Sequence, residues 1–386
     1  MNDLAALKRR LRARARELGA ADLRVADAAH DETTQARLMA SYARGDLATW
    51  PYDATYAEAA TTPARTFEEA KRVVCVAVPY ATPSPPLTKS APLTGRVSKY
   101  AWSAAGDYHR IVRAMLSALA AVLDDFARAP VTRVACDTAP VAERARAARA
   151  GLGWIGKHTN LISPSAGSYV FLGEIFTSLE LPIDPPLRKN CGSCARCIDA
   201  CPTGALRGDY TIDATRCISD LTQRTDGIPR ELRALVGEWV WGCDICQVVC
   251  PPNAQAGAAG DERFAPGAVL ATPDLFALLR MRSSEFKRTY ARTAMGWRGA
   301  AVLRRNAAVA LGNRLDRAAV SPLLAALRND PHPMVRGHAA WALGRIGSPL
   351  ALAGLRAAAG AEREPSVLSE ISSALEEGLA TTAAAG

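Results

Sequence analysis

Eight of the ten cysteines fall between positions 191 and 250, and their spacing carries chemistry. "CGSCARCIDACP" sets Cys191, Cys194, Cys197 and Cys201 ahead of Pro202; "CDICQVVCPP" sets Cys243, Cys246 and Cys250 ahead of Pro251; Cys217 stands alone between them. Two residues between thiolates turn the backbone so that successive sulfurs aim at one centre, as a cubane iron-sulfur cluster requires. CxxC pairs also build zinc sites of four thiolates. Zinc, however, does not call for a CxxxCP ending repeated in both halves. The crowding reads as metal ligation in a reducing compartment and not as a secreted disulfide framework. Cys75 and Cys136 lie in strand-like runs and read as buried apolar residues.

In bacterial two-cluster ferredoxins, the fourth cysteine of each run ligates the other cluster. The same pseudo-symmetry here assigns Cys191, Cys194, Cys197 and Cys250 to cluster I, and Cys201, Cys217, Cys243 and Cys246 to cluster II. Each cysteine of the block is then used once. Two clusters carry electrons but make no organic bond, so the reacting site is expected in the long segment that precedes them.

The elements that must position such a site are legible as patterns. "KRVVCVAVPY" (71–80), "VTRVACD" (131–137) and "SYVFLGEIFTSLEL" (168–181) read as strands, and "DYHRIVRAMLSALAAVLDDFA" (107–127) as an amphipathic helix. At the C-terminal end "RRNAAVALGN" (304–313) aligns with "RGHAAWALGR" (336–345) at an offset of 32, the period of a HEAT-type helical solenoid. Gly312 and Gly344 are expected where these helices stop. The fold class is therefore α+β multidomain: a mixed α/β domain over 1–180, a bacterial-type two-cluster ferredoxin domain over 181–260, and α-helical HEAT-like repeats over 261–386.

With 47 Lys and Arg against 38 Asp and Glu the chain is basic, which suits a polyanionic partner, although an alanine- and arginine-rich composition gives the same balance. No run of about 18 apolar residues predicts a membrane span. Arg9 and Arg10 are followed by no apolar segment of an export signal, so the expectation is a cytoplasmic protein without membrane attachment.

Together, "VSKYAWSAAGDYH" (97–109), "CDTAPVAERARAARAGLGWIGKHTNLISPSAGSYVFLGEI" (136–175), both cysteine motifs and "RRNAAVALGN" resemble the epoxyqueuosine reductases, in the same order across nearly the whole chain. That resemblance implies cobalamin, two [4Fe-4S] clusters and a tRNA carrying epoxyqueuosine in its anticodon loop. The epoxide oxygen would be removed by a two-electron reduction, through cob(I)alamin fed by the clusters, to give queuosine. A low-potential electron donor is implied as a further partner. The cobalamin motif DxHxxG is not present, since Val112 stands where "DYHRIV" would need glycine. The family is similar to reductive dehalogenases, which also pair a corrinoid with two clusters. Two alternatives stay open: a corrinoid reductive dehalogenase of a small molecule, and an electron-transfer scaffold whose repeats dock a partner.

By the same resemblance Asp137 is the general acid that protonates the epoxide oxygen, a task for a carboxyl whose pKa burial has raised. Its bland alternative is a helix N-cap. The resemblance assigns cobalamin or substrate contacts to Tyr108, His109, Gly151, Gly153, Trp154, Gly156, Lys157 and Ser168, the glycines letting backbone approach a large ligand. His158 is a further candidate. In "RMRSSEFKRTYARTAMGWRGAAVLRR" (280–305), Lys287, Arg288, Arg292, Arg298, Arg304 and Arg305 interleave with Phe286, Tyr290 and Trp297. That mixture suits phosphate contacts and base stacking, with the basic face of an ordinary helix as the alternative.

Overall fold

The computed structural model describes residues 2–83, 93–102, 104–255 and 261–384. The chain gathers into two compact units. The first comprises Met1–Pro83, Ser103–Thr215 and Asp244–Ala265; the second comprises Ser84–Trp102, Arg216–Cys243 and Pro266–Gly386. These boundaries cut across the segments 1–180, 181–260 and 261–386, because the cysteine block contributes to both units.

Four antiparallel strands organise the first unit, in the order Asp22–Asp27, Arg72–Pro79, Val170–Thr177, Thr132–Ala135. The two central strands are rich in the β-branched and aromatic residues that pack well on a pleated surface, and residues 73–78 are fully buried. Tyr108–Ala127 covers one face. Its buried Val112, Met115, Leu116, Leu119 and Leu123 recur at helical spacing. Asp107 caps this helix by accepting the His109 N–H, and Arg128 closes it in the left-handed conformation. The helix comes close because strand residue Gly173 lacks a side chain; a Cβ there would stand 2.7 Å from Leu116 Cδ1.

Glu143–Arg149 covers the opposite face. Its Ala147, with Ala150, joins Cys75, Ala135, Phe176 and Leu161 in one apolar cluster. Because side chains alternate along a strand, Glu174 follows Gly173 onto this second face, paired in register with Cys75 on one side and Ala135 on the other. One acid thus stands in the middle of an apolar row.

Helical repeats build the second unit: Ala300–Arg314, Val320–Asn329, Pro333–Ile346, Pro349–Ala361 and Pro365–Ala384. Proline at the first turn, with His332 and Ser348 as N-caps, starts two of them. The 32-residue offset is physical. Arg304 pairs with Asp330 at 2.6 Å, and, 32 positions later, Arg336 pairs with Glu362 at 2.7 Å. Asn306 Nδ2 donates to the carbonyls of Thr222 and Val240, at 2.7 and 2.8 Å. At the equivalent place in the next repeat, His338 Nε2 accepts the Ile228 N–H at 3.1 Å. The repeats therefore satisfy backbone groups of the 216–243 segment in their own unit.

Two glycines correct the sequence reading. Gly312 and Gly344 lie inside helices that end at Arg314 and Ile346. They allow close packing instead: a Cβ on Gly312 would meet Ala342 Cα at 2.9 Å, and one on Gly344 would meet the Ala374 carbonyl at 2.6 Å. The stop comes from Leu315 and Gly347, both in the left-handed conformation. Among the described residues no helix is long and apolar enough to cross a membrane.

Candidate active site and cluster ligands

Asp137 follows the last residues of the Thr132–Ala135 strand and takes φ +56°, a left-handed conformation uncommon for any residue but glycine. The turn carries its side chain off the sheet edge, where it is 56% exposed. Three groups hold it. Tyr108 Oη donates to Asp137 Oδ2 at 2.8 Å, and His109 Nε2 lies 2.9 Å from the same oxygen. The Asp137 N–H donates to Glu143 Oε1. His109 Nδ1 in turn sits 2.6 Å from Asp107 Oδ1, so the imidazole bridges two carboxylates. Tyr108 is fixed by stacking on Phe171, with ring centroids 4.1 Å apart and planes 2° from parallel.

The electrostatics reverse one expectation. Burial pulls the His109 pKa down, but the hydrogen bonds and charges of Asp107 and Asp137 outweigh it and hold the imidazole at about 9. The hydrogen bond from His109, joined by that from Tyr108, keeps the Asp137 carboxyl below its usual range against burial. At neutral pH His109 is therefore held as an imidazolium between two carboxylates, and Asp137 is not a carboxyl raised by burial.

Two acids that the sequence reading passed over stand behind this set. Burial, reinforced by the Asp137 charge, pushes Glu143 up to about 7. Burial and the nearby Glu143 push Glu174 well above the carboxylate range. The available signals were Asp107, two residues before His109, and Glu174, a lone acid in "YVFLGEIF".

The cluster thiols occupy short turns. Cys197 lies in the helix Arg196–Asp199, Cys246 in Ile245–Val248, and Cys250 precedes Pro251–Gln255. Burial, together with the neighbouring sulfurs of Cys191, Cys197 and Cys194, raises Cys250 to about 11. The four thiols assigned to cluster I therefore act on one another electrostatically. Cys201 and Cys246 belong to the first unit, Cys217 and Cys243 to the second. Among the described residues no three His, Cys, Asp or Glu side chains are gathered for a lone metal ion. Cys75, in the sheet, and Cys136, just after the Thr132–Ala135 strand, are buried free thiols.

The remaining predicted contacts divide. Lys157 reaches the cluster loop: its N–H points at Cys191 Sγ (3.4 Å), and its Nζ donates to the Gly192 and Cys194 carbonyls, each at 3.0 Å. Gly151 and Gly153 do permit close approach, but by the chain's own backbone. A Cβ at Gly151 would stand 2.2 Å from the Pro185 carbonyl, and one at Gly153 would stand 2.4 Å from that of Ile162. At Gly156 the neighbours are Ile162 and His158 side chains. Ser168 is buried, its hydroxyl bonded to Gln247 and Asn253. Trp154 Nε1 and His158 Nε2 are buried with no hydrogen-bond partner among the described residues.

In the basic stretch, Lys287, Arg288 and Arg292 are exposed, and Arg298 lies over the exposed Trp297, 3.6 Å from its ring centroid. Arg304 and Arg305 correct the reading of that stretch. Both are buried, Arg304 in its ion pair with Asp330 and Arg305 donating to the Arg224 carbonyl, so neither reaches a phosphate at the surface. Phe286 and Tyr290 are likewise buried.

An imidazole held between two carboxylates and an interacting set of four thiols in one unit, with helical repeats in the other, have the make-up of an iron-sulfur oxidoreductase. Residues 190–253 match the 4Fe-4S double cluster binding domain, residues 61–138 the epoxyqueuosine reductase QueG family (DUF1730), and residues 298–376 HEAT repeats. The epoxyqueuosine reductase of Listeria monocytogenes serovar 1/2a is 35% identical over 373 residues, covering 96% of this chain and 97% of that one. That of Pseudomonas aeruginosa is 38% identical over 339 residues, covering 86% and 92%. A crystal structure of epoxyqueuosine reductase with a tRNA-Tyr epoxyqueuosine-modified stem loop has a TM-score of 0.88 at 33% identity, covering 97% of this chain and 99% of that one. The Bacillus subtilis enzyme, with its catalytic aspartate loop swung out of the active site, matches at 0.88 and 32%, with the same coverage. The chain belongs to the epoxyqueuosine reductase family.

Proposed function

We propose that this chain removes the epoxide oxygen of epoxyqueuosine at the tRNA wobble position, with Asp137 as the group that protonates that oxygen. The bridge Asp107–His109–Asp137 carries this reading, because it places a proton that is held at neutral pH beside an exposed carboxylate. The net reaction takes two electrons and two protons per oxygen and releases water. As the C–O bond opens, an alkoxide develops; a proton delivered at that moment avoids a poor product at neutral pH. His109 passes its proton to Asp137 Oδ2, and Tyr108 keeps that oxygen aimed. The left-handed turn at Asp137 presents the carboxyl to solvent, where a splayed nucleotide can reach it.

Clusters at Cys191, Cys194, Cys197 and Cys250, and at Cys201, Cys217, Cys243 and Cys246, would supply electrons singly, and a corrinoid would gather two. Trp154 and His158 suit that corrinoid. His158 is kept neutral, burial pulling it down to about 4, and its Nδ1 accepts the Asn160 N–H, so Nε2 bears the hydrogen. Two buried N–H donors without acceptors fit a group fringed with amide carbonyls. Lys157 places a cation on the loop of the first cluster. Lys287, Arg288 and Arg292 would contact phosphates, and the Trp297–Arg298 pair would stack on an unpaired base. Residues 1–180 thus serve cofactor and substrate, 181–260 electron supply, and 261–386 tRNA, in a cytoplasmic enzyme.

The test is anaerobic reconstitution with iron, sulfide and cobalamin, a chemical low-potential reductant, and tRNA carrying epoxyqueuosine. Mass spectrometry of the digested tRNA should show the nucleoside lighter by one oxygen. Intact epoxyqueuosine after loading both cofactors would overturn the reading.

A further inference from the structure

Trp154–Ile155 pairs with Leu161–Ile162 in a hairpin that carries Lys157 at its tip, and the tip is tightly built. The Gly156 N–H donates to the Asn160 carbonyl at 2.9 Å, and the Thr159 N–H donates to the Gly156 carbonyl at 2.8 Å. Gly156 has no room for a side chain, since a Cβ there would stand 2.7 Å from Ile162 Cδ1. Within the first unit this tip meets the loop from Cys191 to Cys194. The Lys157 N–H points at Cys191 Sγ (3.4 Å), while its ammonium donates to the carbonyls of Gly192 and Cys194, each at 3.0 Å. The loop is itself closed by the Cys194 N–H on the Cys191 carbonyl, at 3.1 Å. One residue thus brings both an amide donor and a positive charge to the ligand loop.

We propose that Lys157 tunes the reduction potential of cluster I, raising it through an N–H on a ligand sulfur and an ammonium fixed in the ligand loop. This rests on the reading of Cys191, Cys194, Cys197 and Cys250 as one ligand set; their sulfurs are thiols here and stand for the thiolates that bind iron. A cluster on four thiolates is an anion, and each electron it accepts makes it more negative. Hydrogen bonds to its sulfurs and nearby positive charge therefore favour the reduced form. In the step concerned, one electron leaves a low-potential donor and comes to rest on the iron. The donor is oxidised by one electron, no bond forms or breaks, and no proton moves.

Other cations lie near the loop in sequence, but they differ in placement. Arg188, Lys189 and Arg196 are exposed, where water and salt screen them, and Lys189 lies over the Trp154 ring, 5.3 Å from its centroid. Lys157 is half-buried, and its ammonium is tied to two carbonyls of the loop, so its charge is fixed in place and less screened. The next residue of the tip is His158, which with Trp154 suits the corrinoid. The same hairpin therefore touches the cluster loop and carries the residues assigned to the two-electron group. Clusters deliver electrons singly, and a stabilised reduced cluster beside that group holds one electron while the other arrives.

The experiment is a redox titration of the reconstituted holoenzyme followed by electron paramagnetic resonance, with iron analysis of every variant. Cys217→Ser, which removes a ligand of cluster II, identifies the signal that belongs to cluster I. In Lys157→Gln and Lys157→Met the one-electron equilibrium of cluster I should shift about tenfold toward the oxidised form, a midpoint lower by ~59 mV, with cluster II unmoved. Poised at the wild-type midpoint, where half of cluster I is reduced, either variant should be only about one-tenth reduced. Lys157→Arg keeps the charge and should stay within about twofold of the wild-type equilibrium. Arg188→Gln, at an exposed cation, should leave both midpoints in place. A lysine that merely held the loop would change iron content and thermal midpoint without moving the potential. The proposal is overturned by an unmoved cluster I midpoint in neutral variants that keep their iron, by an equal fall in Lys157→Arg or Arg188→Gln, or by loss of cluster I from both neutral variants. Iron analysis of the wild type separates the parent reading: if no iron is retained, the assignment of the cysteines fails, and the tuning role with it.

Discussion

Two regions of this molecule are built from polar side chains held by polar partners, and they do opposite things. Around Asp137 the network is open: its last member is 56% exposed, and the proton it holds has somewhere to go. In the repeats the network is closed. Arg304 is spent on Asp330 and the Met281 carbonyl, Asn306 on two backbone carbonyls, and His338 bonds the 228 N–H with one ring nitrogen and the Met334 carbonyl with the other. Closure, and not the kinds of residue present, separates reactive polar groups from structural ones.

The two regions also have opposite pH edges. His109 is held at about 9, above its unfolded value of about 6.5, so its bridge stabilises fully below that unfolded value and is lost as pH rises through about 9. The hydrogen bonds from Arg336 hold Glu362 at about 2 against burial. That pair contributes above the unfolded value of about 4.3 and is lost as pH falls through about 2.

If the contrast is right, substitutions in the open network should move rate and those in the closed network should move stability. The largest effect belongs to Asp137→Asn: kcat on epoxyqueuosine tRNA should fall by about 10²–10⁴-fold, with the protein still folded and only the share of the His109 bridge's stability that Asp137 supplies lost. Arg304→Ala leaves Asp330 buried without its partner and should cost about 3–5 kcal/mol in denaturant unfolding, while the folded fraction retains its kcat. Gly312→Ala forces a methyl against Ala342 and should cost about 1–3 kcal/mol by the same measurement. The smallest change in stability, within about 0.5 kcal/mol, is expected for the triple alanine variant of exposed Lys287, Arg288 and Arg292. That variant should instead flatten the salt dependence of tRNA binding. Loss of rate in Arg304→Ala, or loss of fold in Asp137→Asn, would break the comparison.

Much of this was legible in the sequence, for identifiable reasons. The strands over 71–80, 131–137 and 168–181 and the helix over 107–127 follow from periodicity, and all are present. The cysteine runs announced their chemistry through spacing, and the 32-residue offset announced the repeats. What escaped was everything that depends on which face a residue takes. Arg304 and Arg305 sit in a basic run yet point into the repeat core, since the interior of a solenoid needs polar groups where it meets irregular backbone. Gly312 and Gly344 looked like stops because packing of helix on helix cannot be seen along one helix. Asp137 looked like a carboxyl raised by burial, because its partner His109 lies 28 positions away and meets it only through the sheet and its covering helix. Glu143 and Glu174 were hidden for the same reason.

The measurement that bears most directly on the central claim is the pH dependence of single-turnover epoxide removal by the reconstituted enzyme, from about pH 6 to 10. With the proton held on His109 between two carboxylates, the rate should stay level through neutral pH and fall as pH rises through about 9. In Asp137→Asn that limb should move down toward the ordinary imidazole value of about 6.5, on a far lower rate. A wild-type rate that already halves near 6.5, or an Asp137→Asn enzyme as fast as the wild type, would contradict the account.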